Sequence, residues 1–173
     1  MIPSVAQQLQ AVRRTLAEAV IPAIDPSESF AREQAGLIVA TLDRVLDVQS
    51  SEYRYDLLEY SDANALVRAL DSLGAPEGRS SAATTVDAPD DLDALRAATL
   101  AAKQRAEARF RALLETEHAD AARALLGIAG RRTTERELAA ARMTGFPRPV
   151  GSIAEVLDRQ AAEPFDALVG ARR

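Results

Sequence analysis

The chain has no cysteine, no tryptophan, a single histidine and a single lysine, Lys103. Without cysteine there is no disulfide framework, no thiolate metal site and no thiol nucleophile, a composition that fits a cytoplasmic protein. One histidine is too few for the usual zinc-ligand sets, and no Ser-His-Asp, Walker-type or dinucleotide-binding pattern is present. Aromatic residues make up only 4% although hydrophobic residues reach 47%, so alanine supplies much of the apolar content. That balance suits helices that approach closely rather than a core built on large rings. No segment approaches the roughly 18–20 consecutive apolar residues needed to span a bilayer, and the N-terminus lacks the basic start and apolar run of a secretory signal. A formal charge of −5 offers no concentrated basic surface and argues against nucleic-acid binding.

What is present is helical periodicity. Val5, Leu9, Val12, Leu16 and Val20 recur every three or four residues, and Phe30, Leu37, Ile38, Leu42, Val45 and Leu46 repeat the pattern. The expected fold is all-α, a helical bundle with an N-terminal antiparallel helix hairpin and a long Ala-rich helix. Ser4 and Gln7 form a capping-box pattern for the first helix, which should end near Val20, before Pro22. Ser27 or Ser29 can cap the second, which should reach about Asp47. A third helix over 51–73 carries a candidate break near Ser61 and ends at Gly74. Residues 75–89 are rich in Ser, Thr, Ala, Gly and Pro and read as a flexible loop or linker.

The organisation expected is therefore 1–74, the 75–89 linker and 90–173, either as two helical lobes or as one bundle with a long excursion. Asp90, Asp91 and Asp93 open a long helix whose apolar stripe passes through Leu95, Ala102, Ala106, Phe110 and Leu113 and continues to Gly130. Thr134 and Glu137 then suggest a new helix ending near Met143. Pro147 and Pro149 break the chain, within a 145–150 stretch that suits an extended arm or a rigid linker. Ser152 and Glu155 start a last short helix, and residues 164–173 should be loosely held.

Three groups of residues are candidates for function. Glu52, Asp56 and Glu59 align on one helical face beside Tyr53 and Tyr60, a combination of acids and amphipathic rings that suits a partner-binding surface. Arg131, Arg132, Thr133 and Thr134 stand at an expected helix start, where guanidinium, hydroxyl and backbone N–H groups could hold an anion. Glu115 and His118 have the Glu-x-x-His spacing of carboxylate metal sites in bundles, without the second pair such a site needs. No cofactor motif is found.

The runs Pro3-Ser4-Val5-Ala6-Gln7-Gln8-Leu9-Gln10-Ala11-Val12-Arg13, Val20-Ile21-Pro22-Ala23-Ile24 and Phe30-Ala31-Arg32-Glu33-Gln34-Ala35-Gly36-Leu37-Ile38 resemble the start of a family of small bacterial helical proteins. Genes of that family accompany kinases similar to aminoglycoside phosphotransferases, sometimes with acyl-CoA dehydrogenases. The resemblance covers the first 48 residues, and the rest of the chain departs from the family's shorter form. It implies an accessory subunit of such a kinase, acting on acyl-CoA-linked hydroxy acids, and carries over no catalytic residue. The expected function is thus a non-catalytic interaction subunit that binds a partner enzyme in a homo- or hetero-oligomer. The alternative is a small-molecule or metal-binding helical bundle, and an acid–base enzyme built from Asp, Glu, Tyr and Arg is a third reading.

Overall fold

The computed structural model describes residues 3–74, 87–141 and 151–170. It has seven helices and, among the described residues, no strand, so the fold is all-α. No helix of the described residues is long and apolar enough to cross a membrane.

Helix α1 (Val5–Thr15) begins with the expected reciprocal cap: Ser4 Oγ accepts the Gln7 N–H at 3.2 Å, and Gln7 Oε1 accepts the Ser4 N–H at 2.8 Å. The helical path then outruns its expected end. A π-turn, Leu16–Val20, leads into a short helical turn, Ile21–Ala23, that contains Pro22. Proline lacks an N–H, and its ring crowds the carbonyl four residues earlier; the wider turn, in which the Ile21 N–H reaches the Leu16 carbonyl, accommodates both. Ile24 is extended and ends the run. Asp25 Oδ1 accepts both the N–H and the hydroxyl of Ser27, at 2.8 and 2.6 Å. Ser27 is therefore occupied in the turn, and Ser29 is the first helical residue, so α2 (Ser29–Gln49) starts without the serine cap expected for it. Arg13 clamps α1 to α2 through two bonds to Asp43, at 2.7 and 3.2 Å.

The chain divides into two compact units, Met1–Glu52 with Leu138–Ile153, and Tyr53–Glu137 with Ala154–Arg173. The division falls at Glu52 rather than at the 75–89 segment. The helices that flank that segment, α3 (Glu52–Leu73) and α4 (Leu92–Leu113), share one core in the second unit. The same unit holds most of α5 (Ala119–Ala140), most of α6 (Ile153–Ala162) and α7 (Phe165–Gly170), and the core draws on α5 and α7. Leu66 and Leu70 of α3, Ala106 and Leu113 of α4, Ala122, Leu125 and Ile128 of α5 and Phe165 of α7 are buried together.

Several expectations are corrected here. Helix α3 runs through Ser61 without a break. The long helix divides after Leu113, because the Thr116 hydroxyl donates to the Leu113 carbonyl at 2.8 Å and accepts the His118 N–H at 3.2 Å, fixing a turn. Helix α5 then passes through Gly130 and the Arg131–Thr134 run with no new start. Of the 164–173 stretch, the described residues 164–170 are anchored rather than loose, since Phe165 is only 2% exposed. Of the three acids expected to open the long helix, Asp91 caps α4, accepting the N–H groups of Asp93 and Ala94. Residues 75–86 of the linker, Met143 and the 145–150 arm lie outside the described residues.

Candidate functional site

Helix α5 of the second unit carries its buried face as a stripe at helical spacing: Ala122, Leu125, Ile128, Arg132, Arg136. Two arginines thus occupy positions that the first three residues mark as core. Both converge on Asp62 of α3. Arg132 donates from Nε and Nη2 to the two Asp62 oxygens at 2.9 and 3.1 Å, a fork-to-fork pair, and Arg136 Nη1 donates to Oδ2 at 2.6 Å. Arg132 also donates to the Gln160 and Glu163 carbonyls at 3.0 and 2.7 Å. The Gln160 side chain completes the network: its Oε1 accepts from Arg136 at 2.6 Å, and its Nε2 donates to the Arg132 carbonyl and to Glu135. Glu135 is paired in turn with Arg159.

Two guanidinium groups therefore share one carboxylate, and the buried cluster carries an excess of one positive charge. Arg136 is 1% exposed, and its Nε–H is the buried side-chain group without a hydrogen-bond partner among the described residues. Its guanidinium lies 5.8 Å from the centre of the Tyr55 ring. Burial pushes the Tyr55 hydroxyl above its ordinary value, the Glu59 charge adds to that, and Arg136 offsets part of it.

A cleft of about 380 Å³ opens beside this network, between α3, α4 and α5. Its wall is largely apolar, from Leu66, Ala106, Phe110, Leu126 and Ala129, with Asp62 and Arg136 in it and Thr133 and Thr134 at one side. Gly130 faces open space, for a Cβ built there meets nothing within 4 Å. The volume is in the range of small-molecule sites, and the arrangement of an apolar wall with a few convergent polar groups is the usual one.

The first unit offers a second feature. On α1 Val5 and Val12 remain exposed, as does Val20 in the π-turn after it; on α2, Phe30, Leu37, Ile38 and Val45 do, with Phe30 at 72%. Ala35 is the single buried residue of the two helices. Val5–Val12, Phe30–Leu37 and Ile38–Val45 are each seven apart, so the exposed side chains form lines along one face of each helix.

Compared with protein-family models, with curated proteins and with solved structures, the chain gives no match.

The residues singled out from sequence are distributed as follows. Glu52 and Tyr53 are exposed at the start of α3, but Asp56 and Tyr60 are buried. Arg96 of α4 binds Asp56 at 3.0 Å and Lys103 binds Glu59 at 2.8 Å, so these acids lie against α4 and are occupied within the chain. The Arg131–Thr134 run sits in the middle of α5, where backbone N–H groups are taken by the helix, which removes the premise of an anion site at a helix start. Of its members, Arg132 is buried on Asp62, while Arg131 and Thr134 are exposed. Glu115 and His118 fall in the turn between α4 and α5, not on a helical face, and among the described residues no group of three or more His, Asp or Glu side chains could hold a metal ion.

Asp62, Arg136 and Gln160 escape the sequence reading, in which Gly130 is a helix end rather than part of a cleft. A signal for them exists: Arg132 and Arg136 continue an apolar stripe, and Gln160 ends another, Ile153, Val156, Leu157. Polar residues in register with a core stripe mark a buried network.

Proposed function

We propose that the chain is a cytoplasmic, non-catalytic interaction subunit that docks helices of a partner protein onto the exposed apolar lines of its N-terminal hairpin. The observation that carries this reading is the exposure of Val5, Val12, Phe30, Leu37 and Ile38 on two helices that are otherwise well formed, capped at Ser4 and clamped by Arg13 and Asp43. A hairpin of two helices cannot enclose both of its own apolar faces, and the common solution is a bundle completed by further helices. Burial of a fully exposed Val, Leu, Ile or Phe side chain contributes about 1.5–3 kcal/mol, so several such residues, each about half exposed, supply a gain of the same order as the cost of association. The family resemblance falls on this same hairpin, which makes a kinase of the aminoglycoside-phosphotransferase type the first enzyme to try as partner, with a second copy of the chain as the other helical source.

The test compares the full chain with a Val12→Asp/Ile38→Asp variant by sedimentation over a range of concentrations, alone and mixed with the kinase. A complex of fixed stoichiometry that the variant loses, with its helical circular dichroism intact, supports the proposal. A wild-type chain that stays monomeric and does not bind the kinase, or a complex indifferent to the variant, overturns it.

A further inference from the structure

We infer that the cleft between α3, α4 and α5 binds a small aliphatic monocarboxylate, its chain against the apolar wall and its carboxylate held by Arg136. This inference is independent of the hairpin's role. The sign of the ligand's charge follows from accounting for each charged group in the wall. Glu59 is paired with Lys103 at 2.8 Å, Glu107 with Arg111 at 2.5 Å, and Asp62 is shared by Arg132 and Arg136. Every acid there has its own cation, whereas one guanidinium is left without a full counter-charge. The buried group lacking a partner is likewise a donor, the Arg136 Nε–H, on a residue that forms part of the cleft wall. A buried donor calls for an acceptor, and a planar guanidinium edge matches a carboxylate.

The body of the ligand follows from the rest of the wall. Leu66, Ala106, Phe110, Leu126 and Ala129 present no hydrogen-bonding side chains, and beside the ion-paired groups only Thr133 and Thr134 add hydroxyls, too few to satisfy those of a sugar or nucleoside. An alkyl chain has no such cost. Gly130 keeps the cleft wide, since it forms part of the wall and a Cβ built there meets nothing within 4 Å.

The experiment is titration calorimetry on the full chain with octanoate, octanol and octylamine as probes. Octanoate is expected to bind saturably, one per chain, at least about tenfold more tightly than octanol, with octylamine weaker still. Gly130→Leu, which starts from a Cβ position with open space and narrows the cleft, is expected to weaken octanoate at least about tenfold while the tyrosine near-ultraviolet circular dichroism is retained. Arg136→Gln is expected to abolish the preference for octanoate over octanol. If Arg136→Gln does not fold, the probe comparison and Gly130→Leu carry the test. Absence of saturable octanoate binding, equal binding of octanol, tighter binding of octylamine, or octanoate binding indifferent to Gly130→Leu would each overturn the inference.

Discussion

Replacement of Asp62 by asparagine removes the one carboxylate between Arg132 and Arg136, and the structure sets the scale of the loss. Three donors, two from Arg132 and one from Arg136, end on Asp62 at 2.6–3.1 Å. The amide keeps a single acceptor oxygen and turns an N–H₂ toward guanidinium donors, while the buried cluster goes from one excess positive charge to two. Breaking a buried pair by removing one partner costs about 3–5 kcal/mol. With a urea dependence of about 1–3 kcal/mol/M, the unfolding midpoint should fall by at least about 1 M. Asp166→Asn is the control: that carboxylate also binds an arginine, Arg68 at 2.9 Å, but its side chain is 62% exposed, and such pairs contribute about 0–1 kcal/mol. The assay uses the distribution of chromophores. There is no tryptophan, and Tyr53, Tyr55 and Tyr60 all lie in the second unit, so near-ultraviolet circular dichroism of tyrosine follows that unit while the far-ultraviolet signal follows both. Exchange of Asp62, Arg132 and Arg136 together for apolar residues should restore most of the loss, because desolvation is then removed with attraction. A loss from Asp62→Asn no larger than that from Asp166→Asn would refute the view that this network holds the second unit.

Other substitutions test separate parts of the fold. Gly130→Ala should stabilise the second unit by about 0.5–1 kcal/mol, since the residue is mid-helix with open space before it, and urea unfolding followed by tyrosine will register the gain. Phe165→Ala should cost about 3–5 kcal/mol in the same assay, a value too large for a loosely held terminus. Ser4→Ala should cost about 0.5–2 kcal/mol of hairpin stability, seen as earlier loss of the far-ultraviolet signal on heating. Hydrogen bonding to Arg13 holds the Asp43 carboxyl below its ordinary value; the pair's contribution is therefore complete above the ordinary aspartate range and disappears as pH falls through the lowered value. An acid titration of helicity should show that step in the wild type and lack it in Asp43→Asn.

Local chemistry was the legible part of the chain. Ser4 with Gln7 and Asp91 at the head of α4 act within three residues of themselves, and the stripe Leu95, Ala102, Ala106 repeats at helical spacing, so each can be read in isolation. The errors came where a distant partner or a competing local bond decided the outcome. Gly130 costs a helix about 1 kcal/mol relative to alanine, and the Arg132 and Arg136 bonds to a residue some 70 positions away outweigh that. Thr116 looked like one more polar helical residue, yet its hydroxyl bonds stop α4. The acids at 56 and 59 suggested an outer face because nothing nearby in sequence pairs with them; their cations come from the next helix, across the 75–89 segment. The cleft is likewise assembled from three helices and has no signature in any one of them.

The division of the second unit into two stretches of sequence has a consequence during synthesis. Gln160 and Phe165, which complete its network and core, lie about a hundred positions after Asp62. At about 5–20 residues per second, roughly 5–20 s pass between translation of Asp62 and of Gln160. The residues of the hairpin's cap and of its Arg13–Asp43 clamp are all translated before that interval begins, although the first unit also takes in Leu138–Ile153. On the docking role proposed above, the apolar lines of the hairpin are synthesised before the residues that close the second unit, so assembly and final folding would be ordered in time.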